Sequence, residues 1–276
     1  MDMWVIDTRK QFRFRTRTLT AIATPVNNLH PNVIRLNMQP SIVQSVLQAV
    51  IGCMPSAAQV WFRSSFPEWT LPPRLVLKKM KKGWDDEFDT EKATYAKLHS
   101  LQGVIIPKLF GELRYGNNTR ALLMSDIGGA SLATPEGGML GLDEFKRLIH
   151  QALGAFSHFR ITQDDVKLDN FHLVDGKIMV VDLESVNEDL SDEDFEFLVH
   201  CAVTSLSEFY ERNQYGFWQR GLLKIATSSK VFTMFSPPYS TYLGMTGPIT
   251  SPVTNGAIEN IPPVRSSCIH GPAHGA

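Results

Sequence analysis

The chain has 276 residues, 43% hydrophobic and 20% charged, with a net charge of −1, which is apolar material enough for a core without staples and supplies no overall field for nucleic acid or an anionic membrane. Its three cysteines, Cys53, Cys201 and Cys268, lie far apart, a pattern that suits neither a disulfide framework nor a zinc site. No apolar run is long enough to span a bilayer, and the start Met1-Asp2-Met3-Trp4 lacks the order of a signal peptide, so an intracellular, cytoplasmic protein with no nucleic-acid and no membrane partner is expected.

Residues 1–43 read as an N-terminal extension. Within it Phe12 to Leu19 alternates with period two, the pattern of an edge strand with a basic outer face. A nucleic-acid-binding arm is the sharper reading of the same arginines, but no aromatic platform or second basic cluster accompanies it. From Ile42 onward the texture is again strand-like. Val46–Ile51 and Gln59–Phe62 read as two strands around the small-residue turn Gly52–Ala58, and Leu75–Lys78 reads as a third after a proline-rich loop.

Helical texture follows. Asp85 to Leu98 puts Phe88, Glu91, Tyr95 and Leu98 on one stripe. Glu91 then sits on an apolar face, where an unpaired carboxylate is costly, so a cationic partner is implied. Leu122–Met124 is a short apolar strand leading into the connector Ser125-Asp126-Ile127-Gly128-Gly129. Asp143 reads as the N-cap of a helix to Phe159, with Phe145, Leu148, Ile149, Ala152, Phe156 and Phe159 as its buried stripe.

Phe171–Val174 and Lys177–Val181 flank Asp175-Gly176, a strong hairpin signal. The hairpin returns the chain on itself, so Gln163 to Asn170 before it and Asp182-Leu183-Glu184 after it meet at one end. Their Asp and Asn oxygens are the hard donors that Mg²⁺ prefers. A last helix starts at Ser191 with acids in its first turn and presents Phe195, Leu198, Val199, Ala202, Val203, Leu206 and Tyr210 on one side. Beyond Ala226 the composition turns to Ser, Thr, Pro and Gly without periodicity, and 227–276 reads as a disordered tail.

Asp165, then Lys167 two residues on, Asn170 five on, a hairpin, and a strand ending in Asp182 form a spacing that resembles the protein-kinase-like superfamily, its small-molecule branch included. The resemblance covers about 44 to 210. It implies an α+β, two-lobed fold with a β-rich N-lobe over 44–127 and a shortened helical C-lobe over 128–226. It also implies ATP and Mg²⁺ as cofactors. Lys78 would hold the nucleotide's α/β-phosphates, oriented by Glu91, which supplies the partner that Glu91's position demands. Asp165 would take the proton of an acceptor hydroxyl, on a protein or a small molecule, and Lys167 would neutralise the transferring phosphoryl. Asn170 and Asp182 would bind Mg²⁺, Ser125 and Ile127 would flank adenine, and Gly52 would open the phosphate loop.

Several positions depart from that pattern. Gly52–Ala58 has one glycine and includes Pro55, which offers no backbone N–H to phosphate. Gln163-Asp164 stands where His-Arg or His-Gly is expected, Leu183-Glu184 follows Asp182 without a glycine, and no Ala-Pro-Glu segment follows. Two functions fit: a phosphotransferase, or a pseudokinase that docks a partner. The bland alternatives are a snorkelling Lys78 and turn or capping roles for Asp165, Asn170 and Asp182. His172 reads as a packed strand residue.

Overall fold

A computed structural model describes residues 8–26, 30–39 and 41–223; the tail 227–276 lies outside the described residues. The fold is α+β, with five α-helices and three antiparallel sheets of six, three and two strands among the described residues.

The larger sheet starts earlier in the chain than the sequence suggested. β1 (Thr8–Phe14) and β2 (Arg17–Pro25) form a hairpin around Arg15, whose φ is 51°. The alternating run Phe12–Leu19 is therefore two strands and a turn. β2 pairs with β3 (Val33–Met38), and β3 pairs with β4 (Arg74–Lys79). The segment expected to be an extension thus contributes three strands of this sheet.

Between β3 and β4 lie α1 (Ile42–Gly52) and α2 (Ser56–Ser65). The strands expected at Val46–Ile51 and Gln59–Phe62 are thus helical. Ser41 caps α1 by accepting from the Gln44 N–H, and the long-range sheet partners that would hold these residues extended are already taken by β3 and β4. Gly52 ends a helix instead of opening a loop between strands.

α3 (Asp85–Lys97) follows β4, with Asp85, Asp86 and Glu87 in its first turn to complement the helix dipole. The hairpin of β5 (Leu109–Tyr115) and β6 (Thr119–Ser125) completes the sheet in the order β1-β2-β3-β4-β6-β5. The sheet curls until its two edges approach, and Phe12 of β1 meets Tyr115 of β5 at 6.0 Å. A register shift between Leu109 and Gly111 bends β5 there. Gly111 has a φ of 144°, and a Cβ on it would lie 3.4 Å from the Phe14 ring.

β7 (Ala130–Ser131) joins β9 (Phe171–Val174), which pairs with β10 (Lys177–Val180) across Asp175-Gly176 as expected. α4 (Leu142–Gly154) begins after Gly141, not at an Asp143 cap, and Phe159 lies beyond it in a 3-10 turn, Ser157–Phe159. β8 (Thr162–Gln163) pairs with β11 (Val186–Asn187). α5 (Asp192–Gln219) starts at a Ser191 cap, as expected, with three acids in its first turn.

Two apolar clusters result, and the strands between them alternate. Leu75 and Leu77 of β4, with Ala121 and Leu123 of β6, join Phe12, Phe14 and Leu36 inside the curled sheet. Leu122 and Met124 face the other way, onto a cluster with Phe88, Tyr95, Phe145, Phe171 and Tyr210. Side chains alternate across a strand, so Lys78 shares the face of Val76. That face looks toward α3, and this sets up the site.

Candidate functional site

Lys78 and Glu91 are both nearly inaccessible, at 7% and 1%. On α3, the buried positions Phe88, Glu91, Thr94 and Tyr95 fall on one face, which carries Glu91 beneath β4. The Lys78 ammonium lies 2.8 Å from Glu91 Oε2, 2.6 Å from Asp182 Oδ1 and 3.3 Å from Glu184 Oε2. Lys81, just past the end of β4, holds the other oxygen of Glu184. The cluster therefore sets two cations against three carboxylates.

Burial by itself would lower the Lys78 pKa, but Glu91, Asp182 and Glu184 together outweigh it and raise the group above its ordinary value. Burial raises Glu91, with Lys78 opposing the rise. The Glu91 contact is close but poorly aligned. Neither of its oxygens has a well-formed hydrogen bond, and the Lys78 ammonium at 2.8 Å compensates the charge.

Asp182 reaches Lys78 from an unusual backbone. Its φ is 62°, in the left-handed region that non-glycine residues seldom adopt. Gln163 holds this geometry. Its amide donates to Val181 O at 3.0 Å and to Asp182 O at 2.8 Å. The Val181 N–H in turn donates to Asn170 O at 2.9 Å. The β9–β10 hairpin thus ties the segment before Phe171 to the segment after Val180, as its turn chemistry implied.

Around Asp165, Lys167 forms an ion pair at 2.8 Å, and Asn170 Nδ2 donates to Asp165 O at 2.9 Å. The hydrogen bond that Lys167 donates to Asp165 raises the Lys167 pKa. Asp164 turns elsewhere and accepts from Ser185 and Asn187 at 3.3 Å each. The two adjacent carboxylates therefore do not share one environment.

Ser125 accepts from the Lys108 N–H at 2.8 Å. The connector after it is pinned by Asp126, which lies 3.0 Å from Arg35 Nε and accepts from the Gly128 N–H at 3.1 Å. Gly129, φ 69°, runs so close to β9 that a Cβ would fall 2.3 Å from Leu173 O. His172 is half-buried beside this connector, and burial lowers its pKa. Ser125 and Ile127 line a cavity of about 430 Å³ with Phe110, Val174 and Met179, and neither Lys78, Glu91, Asp165 nor Asp182 lines it.

Lys78, Glu91 and Asp182 thus meet, and Asp165, Lys167 and Asn170 form a second group coupled to them through the backbone. Gly52 belongs to neither. Glu184, Lys81, Gln163 and Arg35 were not singled out as site residues from sequence. Glu184 could have been, since it lies two residues beyond Asp182. For metal, one carboxylate oxygen from each of Glu91, Asp182 and Glu184 lie within 4.8 Å of one another, a hard-oxygen set of the kind divalent cations take. No family model matches the chain, and a comparison with curated proteins finds no match.

Proposed function

We propose that the chain is an ATP- and Mg²⁺-dependent phosphotransferase with a two-lobed, protein-kinase-like arrangement, moving a γ-phosphoryl to a hydroxyl of a protein or small molecule. The observation that carries this reading is Lys78, which meets Glu91 at 2.8 Å and Asp182 at 2.6 Å from two distant segments. A buried lysine held by a helix carboxylate and facing an acidic strand end suits a group that must position phosphate.

In this reading Asp182 and Glu184 would hold Mg²⁺, and Lys78 would pair with the nucleotide's phosphates. Mg²⁺ supplies charge neutralisation. Asp165 accepts the proton of the acceptor hydroxyl, and Lys167, already beside it, stabilises charge on the transferring group. Asn170 keeps Asp165 in place through its backbone carbonyl.

A second reading, a pseudokinase acting as a binding module, has its own support. The connection between β2 and β3, residues 26–32, contains no glycine and includes Pro31, a poor cradle for phosphate. The deciding experiment is thermal denaturation with ATP, in Mg²⁺ or EDTA, for the wild type, Lys78→Ala and Asp182→Ala, each against its own ligand-free midpoint. A Mg²⁺-dependent rise lost in both variants supports the site, because a native-state ligand stabilises by mass action. Turnover that Asp165→Ala abolishes while the rise persists favours the enzyme; a rise without turnover in the wild type favours the binding module. No rise in folded protein sinks both nucleotide readings.

A further inference from the structure

None of the residues of α2 is buried, and α1 buries only Gln44 and Ile51. The two helices stand off the sheet, and beside them lies a cavity of about 480 Å³. Its apolar wall includes Ile51 and Leu71, at 2% and 3% exposure, and the Phe110 ring. Pro67, Pro72 and Pro73 complete the lining, and their fixed φ resists collapse of that segment into the space.

The polar groups on the lining are of one sign. Arg63, from the last turn of α2, and Lys108, just before β5, both line the cavity, with Gln48 and Thr70 as neutral groups and no acid beside them. Neither cation has a carboxylate partner among the described residues. Lys108 lies instead 5.5 Å from the Phe110 ring centroid. By contrast, Lys78, Lys92 and Arg120 each hold at least one carboxylate.

A cavity of this size, with apolar walls and a few convergent polar groups, is the form that small-ligand sites take. The geometry points to a binding site for a small amphipathic carboxylate, with its apolar body on Phe110, Pro67 and Pro72 and its head between Arg63 and Lys108. The volume accommodates a body of roughly ten to fifteen non-hydrogen atoms. Arg63 presents a planar pair of donors that matches a carboxylate, and Lys108 adds a mobile point charge. The site shares no residue with the Lys78 cluster, although Pro72, Lys108 and Phe110 also line the cavity beside Ser125 and Ile127.

The test is calorimetric titration of the full chain with 2-naphthoate and with its neutral counterpart 2-naphthamide. The carboxylate should bind roughly tenfold tighter or more, the scale of one charge-assisted hydrogen bond. Arg63→Gln with Lys108→Gln should bring it down to the level of the amide. Gln48→Trp, introduced from an exposed helix position, should fill the cavity and weaken both. Unchanged thermal midpoints of the ligand-free variants separate these effects from unfolding. Equal affinity for carboxylate and amide overturns the assignment. So does a double variant that binds like the wild type, or no binding at millimolar ligand.

Discussion

Lys78 and Asp182 are 104 residues apart in the chain, yet Lys78 Nζ donates to Asp182 Oδ1 at 2.6 Å. The contact closes β4 onto the end of the β9–β10 hairpin, and Glu91 enters the same cluster from α3. Two long-range segments and one helix are thereby fixed by a single buried ammonium.

Removing that ammonium should therefore be costly. Lys78→Met leaves Glu91 buried without its cation, and loss of one partner of a buried pair costs roughly 3–5 kcal/mol. Lys78→Met with Glu91→Leu should recover part of the loss, because no carboxylate is then stranded beneath β4. Urea midpoints of the three proteins check this; a double variant less stable than Lys78→Met counts against the pairing.

Gln163 is expected to act as a positioning residue. Gln163→Glu keeps the shape but replaces the donor with a carboxylate facing Val181 O and Asp182 O, leaving two carbonyls unpaired. A cost of about 1–3 kcal/mol per stranded group is expected. Any Mg²⁺-dependent ATP stabilisation should weaken in parallel, since Asp182 at φ 62° loses its brace. Full retention of that ligand effect in a destabilised variant would reduce Gln163 to a structural role.

The acid limb of stability should carry the mark of Glu112. Its hydrogen bond from Arg120 is the main cause that holds it down, from 4.5 to about 2, with Lys92 assisting. The folded value is below the unfolded one, so the contribution is present above 4.5 and is lost as pH falls toward about 2. The gap in thermal midpoint between wild type and Glu112→Gln should be steady above that window and shrink through it. A gap that does not change with pH would show that the Arg120 contact adds nothing through ionisation.

Tyr210 offers a test of how α5 is fastened. Its hydroxyl donates to Gly137 O at 3.0 Å and accepts from the Leu140 N–H at 2.9 Å, while its ring stacks on Phe145 with centroids 4.0 Å apart. Tyr210→Phe should keep the stacking but strand the backbone groups, at about 1–3 kcal/mol. Tyr210→Leu should cost more, because the ring contact also goes. Denaturant unfolding of both variants gives the ranking.

Features with local causes were legible from the chain alone. Asp175-Gly176 dictated the β9–β10 hairpin, because a two-residue turn needs residues that accept positive φ; Asp175 and Gly176 have φ of 48° and 75°. Ser191 announced α5 through its cap. The spacing of Phe88, Glu91 and Tyr95 placed a carboxylate on a buried helix face and so required a cation. Only the tertiary structure decided what became of the β-branched run Ile42–Ile51. Apolar texture suits either a strand or a helix, and the choice went to a helix whose Ile42, Val43, Val46 and Val50 remain exposed. Residues 8–38 likewise joined the sheet through pairings with β4 that no local signal encodes. Glu184 and Lys81 entered the cluster for the same reason. Strand register and ion pairing across a hundred residues depend on how the whole chain closes, whereas caps and turns depend on a few neighbouring atoms.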